Sequence, residues 1–409
     1  MNERLIKYAK VLLNTCLKVE KDKPLFISYD KEVEYFIDIV VKEAKLIGIE
    51  DIYLEGIDSI KKHDLLLTKE VEEIKDLPYW NKSIWNEYTK KDAAFLMIAT
   101  ENPGLMDDVD INKIQELNQY SMTTRKYFDD ARDKSRLAWC IACAPNERWA
   151  KEIFPDSLDP VKDTWDAIFK LCLIDQDNPE ELWKEKMDIL TKRAEILNNY
   201  QFKKLIYKSS KTDFTIELPD NHLWQTGYEL LENGKQVIVN FPTEEIFTSP
   251  DRLSANGIVY NTKPLYYNNT EIDNFYIEFK DGKATKWHAY KGEDMLGMMI
   301  NVANNSDYLG EVAIVSNDSP ISNSNIVFKE TLFDENASCH IALGNSFPEC
   351  IKNGTKMSKS ELYELGLNDS LSHVDFMIGS KELNIIGITK DEKRIPILID
   401  GNFSDIFRI

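Results

Sequence analysis

Over roughly its first 200 residues the chain alternates short apolar runs with longer amphipathic stretches, and no other feature restricts its fold as strongly. Residues 2–19 have helical periodicity. Residues 24–29 read as a strand, 32–47 as a helix and 51–55 as a strand. Residues 93–100 and 137–144 are further strand-like runs, and residues 110–132 are expected to contain a long helix. Strands separated by helices do not join through tight turns. They pair in parallel, with the helices covering the sheet faces. Two consecutive helices are expected over 159–173 and 179–200. The second opens with Pro179-Glu180-Glu181, a residue lacking an N–H and two acids that suit the positive end of a helix.

The grammar changes near residue 202. Residues 203–208, 213–218, 236–239, 257–260, 275–279 and 283–290 are short and β-rich. Asn233-Gly234, Asn256-Gly257 and Asp281-Gly282 punctuate them as turn dipeptides. Helical patterning returns at 295–304 and 358–365. The expectation is a multidomain chain, α/β followed by α+β. Residues 1–200 would form a parallel-sheet α/β domain and 201–409 a β-rich, mixed metal-binding domain, with the boundary near residue 200.

Composition removes several functions. Against 50 Lys and Arg stand 70 Asp and Glu, a net charge of −20. Nucleic-acid binding needs cations to displace phosphate counterions, so that role is excluded. No apolar run approaches a membrane span, and the N-terminus enters an amphipathic pattern directly, without a signal-peptide core. A cytoplasmic protein is expected, with no membrane partner. The six cysteines are scattered, so no disulfide framework is expected, and Cys140 and Cys143 lie in an apolar run that reads as core.

Chemistry must draw on five histidines, His63, His222, His288, His340 and His373. His373-Val374-Asp375 lies in an apolar strand-like run, where residues i and i+2 point to one face. An imidazole and a carboxylate placed side by side there form either a metal site or a hydrogen-bonded pair. A second segment, Asp334-Glu335-Asn336-Ala337-Ser338-Cys339-His340, gathers acids, an amide, a thiol and an imidazole. Adjacent residues on extended chain face opposite ways, so Cys339 reads as core rather than as a nucleophile. Glu244 and Glu245 sit between Pro242 and apolar residues, either as a solvated turn or as a partly buried pair. Glu311 opens a Val/Ala/Ile strand and by itself reads as structural. No GxSxG, Walker A, GxGxxG or HExxH motif occurs.

Taken in order, Pro242-Thr243-Glu244-Glu245, Gly310-Glu311-Val312-Ala313, Thr331 to Ala342 and His373-Val374-Asp375-Phe376-Met377-Ile378-Gly379-Ser380 resemble the thermophilic-type metalloaminopeptidases, peptidase family M29 (AmpS/PepS-like). His222-Leu223-Trp224 fits as well. The resemblance implies an aminopeptidase that hydrolyses N-terminal residues from peptides with a water activated by two divalent metal ions: Zn, Co, Mn or Mg. It implies Glu245, Glu311, His340, His373 and Asp375 as ligands. It also implies a homodimer that encloses the active sites and admits short or unfolded peptides. With Glu245 on metal, its neighbour Glu244 is expected as general base and Glu335 is the rival; Glu335 and Phe347 are expected at the substrate. One position departs from the pattern. The family has a tyrosine seven residues after the His340 position, where this chain has Phe347. Lower activity, a substitute donor such as Tyr363 or Ser346, or a changed preference would each follow. Two alternatives remain at this level: a weakly active or non-catalytic relative that binds peptide or metal, and an acidic oligomer with no site.

Overall fold

The structure, a computed structural model, describes residues 1–267 and 270–409. The chain divides into two compact units, Met1–Lys184 with Tyr228–Pro242, and Glu185–Gly227 with Thr243–Ile409.

The first unit is built on the expected parallel sheet. Its strands lie in the order Asn240–Phe241, Trp139–Cys143, Ala94–Ala99, Leu25–Asp30, Ile52–Ile57, and every neighbouring pair is parallel. Leu25–Asp30 is buried at all its positions, as a strand covered on both faces must be. Phe26 of this strand packs ring to ring with Trp85 and Phe95, and Phe128 packs on those two, with centroids 4.7–5.7 Å apart. The Glu34–Ile47 helix stops where Gly48 takes a left-handed conformation. Cys140 and Cys143 are buried in the core.

Two details go beyond the reading of the sequence. Residues 110–132 contain the expected long helix, Ile111–Thr124, and a second, shorter one, Lys126–Arg132. In a continuous helix the Phe128 N–H would meet the Thr124 carbonyl. Here the Asn86 side chain stands between them, donating to Thr124 O at 2.6 Å and accepting from Phe128 N–H at 3.1 Å. A side chain inserted into the ladder breaks the helix without Pro or Gly. The two-residue strand Asn240–Phe241 is too short for periodicity to reveal.

The second unit is largely antiparallel. One of its sheets contains the Asp281-Gly282 hairpin, which joins Thr270–Lys280 to Lys283–Lys291 with both turn residues at positive φ. Asn256-Gly257, expected as a turn, instead opens the strand Asn256–Tyr260. Its glycine permits a close crossing: a Cβ on Gly257 would stand 2.2 Å from Asp213 O. The other large sheet has five strands, ordered Gln225–Thr226, Ile246–Thr248, Leu309–Ile314, His340–Gly344, His373–Met377. Among the described residues no helix is long and apolar enough to cross a membrane.

Candidate metal centre

Residues directly opposite in an antiparallel pair share a face. Ala313 lies opposite both Phe247 and His340. Ala342 lies opposite both Glu311 and Asp375, and Gly344 opposite His373. One face of the five-stranded sheet therefore carries Phe247, Glu311, His340, His373 and Asp375. The positions between them hold only methyl groups or hydrogen, which leaves room above the sheet. Glu245 precedes the Ile246–Thr248 strand by one residue and reaches the same place.

The carboxylates and imidazoles converge there. His340 Nε2 is 3.1 Å from Glu245 Oε2, and His373 Nε2 is 3.0 Å from Glu311 Oε2. Asp375 spans the two, with Oδ2 3.5 Å from His373 Nε2 and Oδ1 4.0 Å from His340 Nε2. Ligand atoms of Glu245, Glu311 and His340 lie within 4.8 Å of one another, as do those of Glu311, His373 and Asp375. Glu311 belongs to both groups. Each Nδ1 is turned to a backbone carbonyl, that of His340 to Ser338 O at 3.0 Å and that of His373 to Asn345 O at 2.8 Å. A carbonyl only accepts, so each Nδ1–H donates and each Nε2 faces the carboxylates. That arrangement orients imidazoles as metal ligands.

The electrostatics are those of an acidic site short of positive charge. Burial, with Asp375 and Glu245 adding to it against His373, pushes the Glu311 carboxyl up to about 7. Burial would depress His340, but Glu245, Asp375 and Glu311 lift it to about 10. His373 rises well above the usual histidine range because Asp375 and Glu311 outweigh its burial. Asp375 is held below the usual carboxylate range despite burial, by His373 and His340. Among the described residues no lysine or arginine pairs with Glu245, Glu311 or Asp375. Asp375 Oδ1 is buried with no hydrogen-bond partner. An orphaned carboxylate oxygen in a dry site is costly unless a cation meets it. Mixed nitrogen and oxygen donors of this kind fit divalent ions.

A sequence model of a family described as thermophilic metalloprotease (M29) matches residues 1–403. The chain belongs to that family. It is 38% identical over 404 residues to Aminopeptidase 2 of Geobacillus stearothermophilus, covering 98% of each chain. It is 34% identical over 405 residues to Aminopeptidase AmpS of Bacillus subtilis (strain 168), covering 98% of this chain and 99% of that one. The solved structure "Wild-type AmpT from Thermus thermophilus" matches with a TM-score of 0.90 at 28% identity, over 98% of this chain and 99% of that chain. The expected mixed α/β architecture, a parallel-sheet region beside antiparallel β-rich sheets, is that of the family. Relatives named as aminopeptidases match from end to end, and nothing among them supports the non-catalytic alternative.

The remaining residues of this M29 chain fall into place around the cluster. Glu244 turns away from it and forms an ion pair with Lys186. Burial raises its carboxyl, against Lys186 and Arg193. Lys186 and Arg193 lie two turns apart on the Pro179–Tyr200 helix, hence on one face. Glu335 ends the Thr331–Glu335 helix. Burial, then the field of Glu245, Asp375 and Glu311, drives its carboxyl well above the usual range. Asn336, passed over in reading the sequence, ties these parts together. Its Oδ1 accepts from Glu244 N–H at 2.7 Å, and its amide donates to Leu332 O at 2.8 Å and to Glu335 Oε1 at 3.4 Å. An amide beside two acids in a segment already singled out was the available signal.

Phe347 lies at the cluster, its ring 4.8 Å from that of His373 and 5.6 Å from that of Phe247. Phe247 was also missed, although it stands two residues from Glu245 on extended chain. Of the substitute donors, Ser346 Oγ accepts from Asn368 N–H at 2.9 Å, and Tyr363 lies under the Arg252 guanidinium at 3.6 Å. His222 belongs to neither ligand group: its Nδ1 faces Pro219 O at 2.9 Å, and burial pushes its imidazole down to about 4. Cys339 is core, with Sγ 3.1 Å from Val315 O.

Proposed function

We propose that this metal-dependent aminopeptidase works with two divalent ions, which Glu245, Glu311, His340, His373 and Asp375 would hold. The observation that carries the reading is the sharing of Glu311 by two ligand groups, each within 4.8 Å. When bound, such ions supply Lewis-acid polarisation of the scissile carbonyl and lower the pKa of a coordinated water. The nitrogen and oxygen donor set suits Zn, Co or Mn better than Mg.

The chain's own groups supply the rest. The Nδ1–H bonds to Ser338 O and Asn345 O fix both imidazoles. The three ligand carboxylates would be taken up by the ions, and a free α-amine, which only the N-terminal residue of a peptide carries, would be recognised at that centre. Of the two acids weighed as general base, Glu335 is the one whose proton affinity responds to Glu245, Asp375 and Glu311. Burial, then those three neighbours, raises its carboxyl well above the usual range, and a carboxyl that holds its proton more tightly can accept one during the reaction. Glu244 is held by Lys186, and Asn336 holds its backbone. We assign proton transfer to Glu335, and to Glu244 the fixing of the turn that presents Glu245. Phe347, against His373, lines the substrate side.

The reading includes a cytoplasmic homodimer acting on short peptides, with 201–409 as the catalytic domain and 1–200 as the α/β domain. Light scattering on the purified protein measures the oligomer. Metal analysis combined with an aminoacyl-substrate panel, before and after chelation, tests the centre. Two equivalents per chain, with activity lost on chelation and restored by metal, are expected. One equivalent refutes the pair, and activity that survives metal removal refutes the site.

A further inference from the structure

We propose that Phe247 and Phe347 form an aromatic wall that reads the first residue of the substrate and selects a large apolar side chain there. The inference rests on the metal centre described above.

Phe247 and Glu245 flank Ile246, which is fully buried and points the other way. On the catalytic face Phe247 stands opposite Ala313, and His340 follows on the far side of that alanine. Phe347 bridges from Phe247 to His373. Its ring meets that of Phe247 edge-on at 5.6 Å and lies 4.8 Å from the imidazole. The three rings thus run from the row of the sheet that holds His340 to His373. The His373 end, where Phe347 lies, is the open one, since 24% of the His373 side chain is exposed against 1% for His340. Val312, Ile341 and Phe376 on the opposite face are completely buried, whereas Phe247 and Phe347 are only half-buried. They therefore retain apolar surface on the face where chemistry would occur.

The wall is held in place without a substrate. Ser249 Oγ accepts from the Phe347 N–H at 3.0 Å. Gln225, opposite Phe247 on the outer strand, donates to Glu349 O at 2.5 Å and ties down the loop that carries Phe347. A peptide whose free α-amine is held at the metal centre brings the side chain of that same residue within reach of the rings. Covering them removes apolar surface from water, which a methyl group does poorly and a leucine or phenylalanine side chain does well. An acidic first residue would place its carboxylate against apolar rings that offer it no partner. A lysine is the sharper rival, because aromatic faces also attract cations.

The test is kcat/KM for Leu-, Phe-, Ala-, Lys- and Glu-p-nitroanilide with the metal-loaded wild type, F247A and F247L, with metal content measured on each. The wild type is expected to favour Leu and Phe over Ala by roughly 10–100-fold, with Lys and Glu below Ala. F247A is expected to cut the Leu-to-Ala ratio by roughly tenfold at unchanged metal content. A preference for Ala, Lys or Glu, or a ratio unaltered in F247A, overturns the wall. Should F247A fail to fold, F247L carries the test: a Phe-to-Ala ratio reduced several-fold supports the wall and an unchanged ratio overturns it. A wild type without metal, or without activity on any of the five substrates, overturns the metal-centre reading instead.

Discussion

Each compact unit contains a five-stranded sheet with buried carboxylate chemistry, and the two treat it in opposite ways. In the parallel sheet, Glu55 is saturated: Lys82 Nζ donates at 2.9 Å, Ser28 Oγ at 2.8 Å and Trp85 Nε1 at 3.1 Å. Charge and hydrogen-bonding capacity both balance. In the antiparallel sheet, Glu245, Glu311 and Asp375 share two imidazoles, and one carboxylate oxygen has no hydrogen-bond partner among the described residues. A satisfied buried ion pair serves the structure around it. A buried acidic surplus makes sense only with a cation that the chain does not itself contain.

The comparison is broken or sharpened most strongly at Glu311. Glu311→Gln is expected to reduce metal content to one equivalent or less and to lower kcat/KM by at least about 10³-fold, roughly 4 kcal/mol. Without metal, the same variant is expected to melt above the wild type, because it removes a like charge from the cluster. A metal-free variant that melts lower would show that Glu311 is structural after all. The counterpart is Glu55→Gln, which leaves Lys82 buried without its counter-charge. It is expected to cost about 3–5 kcal/mol in denaturant unfolding. A cost below about 1 kcal/mol would remove the distinction between the two sheets.

The metal-free protein should also respond to pH in a predictable direction. Glu311 favours its proton in the folded state, so it opposes folding increasingly as pH rises from about 4.5 to about 7. His340 is raised as well, so its stabilisation is complete below about 6.5 and is lost as pH rises toward about 10. Both signs agree. The metal-free melting temperature is expected to fall by several degrees between pH 5 and pH 10, roughly, with the loaded protein much flatter because metal replaces those protons. Parallel melting curves for the two forms would contradict the assignment. The smallest effect is expected at the open end of the site. Phe347→Tyr restores a hydroxyl beside His373 and should raise turnover on aminoacyl substrates by roughly tenfold, short of the 10²–10³ that a full oxyanion donor supplies. No change, or a fall, would mean that a missing hydroxyl does not limit this enzyme.

Much of this was legible from residues alone. A period of two put His373 and Asp375 on one face, and 3.5 Å between their atoms bears out that spacing. Strand–helix alternation announced the parallel sheet, and Asp281-Gly282 announced its hairpin. These are local properties, set by backbone sterics over a few residues. Asn256-Gly257 misled because the same dipeptide that permits a tight turn also permits a close strand crossing. The interruption between residues 110 and 132 was invisible because its cause, Asn86, lies on another helix.

The sequence by itself determined the two architectures, the chemical types available for a site and the pairing of His373 with Asp375. Only the tertiary structure decided that Glu311 stands between the two ligand groups, that Glu244 turns to Lys186 while Glu245 turns inward, and that Phe247 joins Phe347 beside the cluster. The reason is physical. Periodicity says which face of its own strand a side chain occupies. The register between strands distant in sequence says which side chains meet, and the charges that then surround each carboxylate decide how tightly it holds its proton.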